Sequence, residues 1–220
     1  MGASGLRRTR RTILLTGFGP FPGVPDNVSM RVVEALAFRA RRLHPTHHFV
    51  TAELPTEWDA GAQWLTHLVD RHQPTLSLHF GVSRRAEAIV VETRARNACR
   101  AADATGSVPA CDRLDPDGPD ERAVTVPSAR IVARLKAAGL PAQLSSDAGQ
   151  YLCNAILFHV LSLHAASRMP GQAGFIHIPH DLGAARWPRL PIRRRLPLDV
   201  DRATAGASIA LSTCLARRPV

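Results

Sequence analysis

Residues 12–26, with the sequence TILLTGFGPFPGVPD, carry the pattern that decides the fold. The first five form an apolar run of the length of a buried strand, and the run ends at Gly17, where a loop rich in glycine and proline begins. Asn27 or Ser29 can cap a helix after this loop, and apolar positions then recur at helical spacing as far as Leu43. A strand, a loop and a helix in this order predict the first half of a βαβ unit.

The same alternation continues along the chain. Further strands are predicted at residues 49–54, 76–81, 88–93, 143–146 and 173–179, and further helices at residues 56–73, 128–138, 154–161 and 199–217. This order is typical of an α/β fold, a three-layer α/β/α sandwich around a mostly parallel twisted sheet. A chain of 220 residues has room for one such core. We therefore predict a single domain over residues 12–218, preceded by a flexible basic segment at residues 1–11.

Two stretches lack a regular pattern. Residues 98–126 contain several Asp, Gly and Pro and no sustained period, so we expect a long loop or a set of short pieces. Residues 180–197 are rich in Pro and Arg and are expected to be irregular.

The formal net charge of +10 raises nucleic acid as a partner. Almost all of the positive charge is arginine, because Lys136 is the single lysine. The two arginine clusters, at residues 7–11 and 193–195, lack the interleaved aromatic side chains of a base-stacking platform. We interpret the charge as solvated surface and expect no nucleic-acid partner.

The sequence offers no membrane segment and no metal motif. No run approaches the roughly 18 apolar residues of a membrane span, and the apolar run after the basic segment is too short for a signal peptide. The four cysteines, at positions 99, 111, 153 and 214, have irregular spacing and no CxxC pair, which argues against a zinc site and against a disulfide framework. These features favour a cytoplasmic protein with reduced thiols, no membrane partner and no metal.

Cys153 is the strongest candidate for a nucleophile. It lies in residues 147–154, DAGQYLCN, where a turn leads into an apolar, helix-like run. A thiol at a helix N-terminus meets free N–H groups and the positive end of the helix dipole, which stabilise a thiolate. The alternative is an inert buried cysteine, since free Cys commonly packs as a small hydrophobe.

A thiolate nucleophile needs a base and a group that orients the base. His177 is the best candidate for the base because it lies near the end of an apolar strand, and His79 is its closest competitor. Glu92 ends another apolar run and can orient the imidazole. Functional residues gather at the carboxyl ends of parallel strands, so we expect these residues and the loop at residues 17–23 to meet there. A core histidine and a solvated strand end are the alternatives for His177 and Glu92.

Four motifs together resemble the pyroglutamyl peptidase I family. They are residues 16–21, TGFGPF, followed by Asn27 and Ser29; Gly81, Val82 and Ser83, followed by Glu92; residues 147–154, DAGQYLCN; and residues 174–179, GFIHIP. Their order and approximate spacing are similar to those of the family, over roughly residues 12–180.

The resemblance implies a cytoplasmic cysteine peptidase that removes an N-terminal pyroglutamyl (5-oxoprolyl) residue from peptides through a thioester. It implies no cofactor and a homotetramer or homodimer. It also implies that Cys153 is the nucleophile, His177 the base and Glu92 the orienting acid. Contacts with the substrate are implied for Phe18, Phe21, Asn27, Val82, Tyr151 and Leu152.

The resemblance is weaker in the segment that follows Glu92. Residues 101–106, AADATG, do not reproduce the stretch that follows the triad Glu in many bacterial members. The alternative is therefore a related cysteine amidase with a different N-terminal specificity, or a weakly active relative. A phosphate-binding protein is a further alternative, but the loop at residues 17–23 lacks both GxGxxG and the Gly-Lys-Ser/Thr ending of a P-loop.

Overall fold

The computed structural model describes residues 10–167, 171–182 and 198–216. The strands in these ranges are β1 Arg11–Phe18, β2 His47–Leu54, β3 Leu76–Ser83, β4 Ile89–Glu92, β5 Arg94–Arg96, β6 Glu121–Ala123, β7 Ala142–Ser145 and β8 Gln172–Pro179. The helices are α1 Val28–Leu43, α2 Trp58–His72, α3 Ser128–Ala137, α4 Leu152–Ala166 and α5 Val200–Leu215. Residues 1–9, most of the predicted irregular stretch and the last predicted residues of the domain lie outside the described ranges.

Six strands form one sheet in the order β2-β1-β3-β8-β4-β7. The first four of these strands run parallel to one another. Strand β4 runs antiparallel to β8, and β7 runs parallel to β4. The predicted α/β fold with a mostly parallel sheet is confirmed. The short antiparallel pair of β5 and β6 was not predicted, because strands of three residues are too short to show a period.

The sheet separates two hydrophobic cores. Ile13 and Leu15 of β1 pack with α1, α3 and α5, whereas Leu14 between them packs with α2 and α4. This alternation follows from the two-residue period of a strand. It gives the predicted three layers, with the sheet in the middle. The site described below lies on the face covered by α2 and α4.

Short-range contacts determine where the helices begin. Asn27, one of the two predicted candidates, caps α1, because its side chain accepts a hydrogen bond from the Ser29 amide. Gly17 lets β1 approach this helix closely, since a Cβ atom there would lie 2.7 Å from the Met30 nitrogen. Helix α4 begins at Leu152, two residues earlier than predicted, and it extends to Ala166. Cys153 is therefore the second residue of a long helix.

None of the helices within the described ranges is both long and apolar enough to cross a membrane.

Candidate active site

The Cys153 thiol lies over the sheet at the N-terminus of α4. At this end of the helix the Ala155 amide donates a hydrogen bond to the Tyr151 carbonyl, and the Tyr151 side chain does not cap the helix. The amides of the first helical turn precede the regular bonding pattern of a helix, so they point toward the space in front of the helix. The thiol is partly exposed. It therefore combines access for a substrate with the positive end of a fifteen-residue helix.

Gly81 makes room for this thiol. A Cβ atom on Gly81 would lie 3.0 Å from the Cys153 sulfur and 2.8 Å from the ring of Phe175. In the sheet, Gly81 of β3 pairs directly with His177 of β8. The absence of a side chain at this position therefore lets α4 bring its sulfur down to the level of the histidine.

His177 bridges the other two predicted triad members. Its Nδ1 atom lies 2.8 Å from Oε1 of Glu92, and Cys153 is close enough to act on the imidazole through its charge and through hydrogen bonding. Because a carboxylate only accepts hydrogen bonds, Nδ1 carries the proton toward Glu92 and Nε2 remains for Cys153. His177 and Glu92 are both buried, with 8% and 1% of their surface exposed. The structure thus brings Cys153, His177 and Glu92 into one connected row.

Glu92 contacts His177 from a strand whose direction the sequence did not predict. We expected its position at the carboxyl end of a strand to align it with the ends of parallel strands, and this expectation is wrong because β4 runs antiparallel to β8. Val90 pairs with His177, so Glu92 lies two residues further along the same face and contacts the imidazole diagonally. Its second oxygen, Oε2, is buried and has no hydrogen-bond partner within the part of the chain that the structure describes.

Electrostatics favour a charged imidazole at this position. Burial by itself lowers the pKa of His177, but the charge and hydrogen bond of Cys153, followed by those of Glu92, outweigh it and raise this pKa to about 9. At neutral pH the imidazole is therefore held as the cation between two acidic groups.

His79, the competing base, has a different environment. It is fully buried, and its Nδ1 atom lies 2.7 Å from the Thr16 hydroxyl. Burial and the neighbouring His164 lower its pKa to about 3. Its ring stacks on Phe175, which in turn contacts the His177 ring at 4.8 Å between centroids. His79 is thus a neutral core residue behind the site.

Aromatic side chains adjoin the thiol on the side of the glycine-rich loop. The Phe21 ring lies 6.3 Å from the ring of Tyr151, and Trp58 packs edge-on against Tyr151 at 5.6 Å. Phe18 is deeper, with 3% of its surface exposed, and its ring lies 6.3 Å from that of Phe175. These rings form an apolar wall on the N-terminal side of Cys153.

The other residues implied as substrate contacts have structural partners. The Asn27 amide donates to the Gly19 carbonyl at 2.9 Å, and its oxygen accepts from the Ser29 amide and hydroxyl. Asn27 therefore holds the loop that carries Phe18 and Phe21. Leu152 is buried in the core under α4, whereas Val82 is buried in the core on the opposite face of the sheet. Val82 thus has only its backbone on the side of the thiol.

Two residues without a predicted role also shape the site. Asn154 follows the nucleophile, and its side chain bonds the backbone of Arg96 in both directions and the carbonyl of Ala98. Asp103 accepts a bond from the Trp58 amide at the start of α2. Asn154 was visible in the cysteine motif, but nothing in the sequence indicated that it fastens the segment after β5.

No group of three or more potential ligands that could hold a metal ion occurs among His, Cys, Asp and Glu of the described residues.

The chain is similar to known proteins in sequence and in fold. The family model for pyroglutamyl peptidase matches residues 11–196. The pyrrolidone-carboxylate peptidase of Cupriavidus taiwanensis is 34% identical over 213 residues, which cover 94% of this chain and 94% of that protein. The same-named protein of Gloeobacter violaceus is 38% identical over 171 residues, 76% of this chain and 81% of its own length. The crystal structure of pyroglutamyl peptidase I from Bacillus amyloliquefaciens superimposes with a TM-score of 0.78 at 27% identity, covering 94% of this chain and 98% of that one.

Proposed function

The chain belongs to the pyroglutamyl peptidase family, and we propose that it uses Cys153, His177 and Glu92 to hydrolyse the bond after an N-terminal pyroglutamyl residue. It is a cysteine-type peptidase by this membership. The observation that carries the assignment of the three residues is the row of contacts in which His177 bonds Glu92 on one side and Cys153 on the other. A nucleophile, a base and an orienting acid in this order are what acyl transfer requires.

In the proposed reaction the Cys153 thiolate attacks the carbonyl carbon that joins the lactam ring to the next residue. The carbonyl electron pair moves to oxygen and returns as the C–N bond breaks. His177 gives its proton to the departing amine, which leaves a thioester on Cys153. Neutral His177 then takes a proton from water, the hydroxide equivalent attacks the thioester, and pyroglutamate and the thiolate are released.

The start of α4 supports stabilisation of the oxyanion. Because Cys153 is the second residue of α4, a carbonyl group attacked by its sulfur would meet the amides of the first helical turn and the positive end of the helix dipole. Removal of one such donor in comparable enzymes slows catalysis by about 10²–10³.

The aromatic wall supports recognition of a neutral lactam. A pyrrolidone ring carries no charge, so its recognition depends on apolar contact and on a few hydrogen bonds. Phe18, Phe21 and Tyr151 supply the apolar contact in this proposal. The backbone of Val82 and the loop held by Asn27 are available for hydrogen bonds, and Leu152 supports Tyr151 from the core.

The finer features of the prediction belong to the same proposal. The substrates are peptides with an N-terminal pyroglutamate, the compartment is the cytoplasm, and the chain acts as a homotetramer or homodimer. The cytoplasmic assignment is supported by the four free thiols.

Cys153→Ser tests the assignment most directly. We expect this variant to keep the fold, judged by far-UV circular dichroism and thermal unfolding, and to release no chromophore from a pyroglutamyl amide. Cys214→Ser is the matched control, because Cys214 is buried in the other core. Full activity of Cys153→Ser would contradict the proposed nucleophile.

The same assay separates the alternative specificity. The pyroglutamyl, prolyl and alanyl amides of one chromogenic amine differ in the lactam carbonyl and in the ring. We expect the wild-type protein to turn over the pyroglutamyl amide preferentially. Equal turnover of the three amides would favour a cysteine amidase of broader specificity, without affecting the assignment of Cys153.

A further inference from the structure

Two thiols outside the catalytic row lie close together in the loop between β5 and β6. Cys99 is buried, with 4% of its surface exposed, whereas Cys111 is exposed. The Cys99 sulfur lies 3.2 Å from the Cys111 carbonyl oxygen, and the Cys99 amide donates to the Asp112 carbonyl at 2.9 Å. The backbone thus holds the two cysteines side by side.

The Cys111 side chain needs only a local change to reach its neighbour. Its sulfur now hydrogen-bonds the Arg113 carbonyl at 2.9 Å, on an exposed part of the loop. A disulfide requires Cα atoms about 4.4–6.8 Å apart, and chains joined by backbone N–H···O=C bonds approach to about 4.5–5.5 Å. The backbone bond joins Cys99 to Asp112, and Cys111 is the next residue, with its carbonyl oxygen 3.2 Å from the Cys99 sulfur. We therefore expect a bond between the sulfurs to require a rotation of the Cys111 side chain away from Arg113 and a small adjustment of the loop.

We propose that Cys99 and Cys111 form an oxidisable thiol pair that reacts with small disulfides, such as oxidised glutathione, to give an intramolecular disulfide. The exposed Cys111 thiolate first attacks the small disulfide, forms a mixed disulfide and releases one small thiolate. The Cys99 thiolate then attacks the Cys111 sulfur and releases the second. The two protein thiols lose two electrons and two protons, and the small disulfide becomes two small thiols.

The order of attack follows from the two environments. Burial, together with the neighbouring Cys111 and Asp112, raises the pKa of Cys99, so its thiolate is scarce at neutral pH. The exposed sulfur is also the one that a small disulfide can approach. We therefore expect the second step to be the slower one and to accelerate as the pH rises.

The disulfide fastens a segment that lies against the nucleophile's own turn. The Arg100 amide donates to the Gln150 carbonyl, and Asn154 donates to the Ala98 carbonyl. Both partners flank Cys153 in the sequence. Oxidation of the pair thus fixes the loop at the edge of the proposed active site, and it needs no participation of the catalytic thiol.

The experiment uses the full-length Cys153→Ser protein, which removes the catalytic thiol from the reaction. The protein is incubated with oxidised glutathione, alkylated and digested with trypsin without reduction. Cleavage after Arg96, Arg100 and Arg113 places the two thiols in the adjacent peptides 97–100 and 101–113. We expect these peptides to be recovered as one linked species that dithiothreitol separates. We also expect the thermal midpoint to rise on the order of 5 °C, because the bond closes a short loop in the unfolded chain.

Cys111→Ser and Cys214→Ser in the same background provide the controls. The Cys111→Ser protein should show neither the linked species nor the thermal shift, whereas Cys214→Ser should show both. Glutathione retained on Cys111 without a linked species, at pH 7 and at pH 9, would overturn the proposal. The readout is a covalent bond and not peptidase activity, so it is independent of the proposed function.

Discussion

The Nδ1 atom of His177 lies 2.8 Å from Oε1 of Glu92, although the two residues belong to antiparallel strands and are not directly paired. The contact is diagonal across one face of the sheet, and both side chains are buried. Among the described residues, the second Glu92 oxygen has no hydrogen-bond partner, so His177 is the side chain to which the carboxylate bonds within those ranges. The sheet itself therefore fixes the ring that serves Cys153.

Glu92→Gln should lower kcat/KM for a pyroglutamyl amide by about 10- to 100-fold. The change removes the negative charge while retaining the shape, and a charge-assisted hydrogen bond contributes about 1.5–3 kcal/mol. Steady-state kinetics measures the loss. Glu87→Gln is the control, because Glu87 is exposed. Unchanged kinetics in Glu92→Gln would show that the carboxylate has no part in the reaction.

The alkaline limb of the pH profile should reflect His177. Burial opposes the charged form, but Cys153 and Glu92 outweigh it and raise the pKa of His177 to about 9. Protonated His177 donates to the departing amine, so kcat/KM should fall as the pH rises through about 9. Nuclear magnetic resonance of the imidazole should show this midpoint decreasing in Cys153→Ser. A midpoint that stays near 9 in that variant would contradict the contribution of Cys153.

Gly81→Ala should inactivate the protein more than it destabilises it. The new Cβ atom would lie 3.0 Å from the Cys153 sulfur and 2.8 Å from Phe175, so it displaces the nucleophile. Gly174→Ala is a matched control in the neighbouring strand, where the Cβ atom would lie 2.5 Å from Val126. We expect both variants to lose thermal stability, and Gly81→Ala alone to lose at least tenfold in kcat. Equal losses of kcat would indicate general damage to the sheet.

Phe21→Ala should raise KM by about tenfold with little change in kcat. The Phe21 ring lies beside Tyr151 in the apolar wall of the proposed lactam site, and loss of this ring corresponds to roughly 1–2 kcal/mol of apolar contact. Phe38→Ala is the control, because Phe38 is 66% exposed on α1. A change in kcat with constant KM would place Phe21 in the chemical step instead.

The strand and helix pattern was predictable because it depends on local periodicity. The run from Asn154 was predicted as a helix with the thiol at its start, and α4 has that thiol at its second position. The direction of β4 was not predictable, since hydrogen-bond partners between strands are not encoded in the period of either strand. The contact of Glu92 with His177 was thus expected for a wrong geometric reason. The prediction of Glu92 as the acid depended on the family resemblance, which rested on the distance of Glu92 from Gly81 in the sequence.

The contacts of the loop after β5 were also beyond sequence reasoning. Residues 98–126 show no hydrophobic periodicity. Their conformation is stabilised by side chains that hydrogen-bond backbone groups distant in the sequence. Asn97 bonds the backbone of Asp115 in both directions, and Asp103 bonds Trp58. Such contacts depend on the fold of the rest of the chain, so no local sequence pattern predicts them.

Asp103→Ala should destabilise the protein by about 1–2 kcal/mol at neutral pH, the typical loss for a helix cap, and lower its thermal midpoint by about 2–6 °C. Asp103 accepts bonds from the amides of Trp58, Thr105 and Ser107 and from the Thr105 hydroxyl. It acts as the cap of α2, because Glu57 makes no side-chain cap bond.

The pH dependence of this loss separates the carboxylate from simple packing. Burial opposes ionisation of Asp103, but the bonds from Thr105, Trp58 and Ser107 outweigh it and lower its pKa. A group whose pKa is lower in the folded than in the unfolded protein stabilises the fold above the unfolded value, about 3.9, and loses this effect as the pH falls through the folded value. Urea unfolding should therefore show that the difference in unfolding free energy between wild type and Asp103→Ala decreases below pH 4. The Asp103→Asn variant retains one acceptor oxygen, so its unfolding free energy at pH 7 should lie between those of wild type and Asp103→Ala. A gap that is constant from pH 7 to pH 3 would mean that packing, and not the carboxylate, holds this loop against α2.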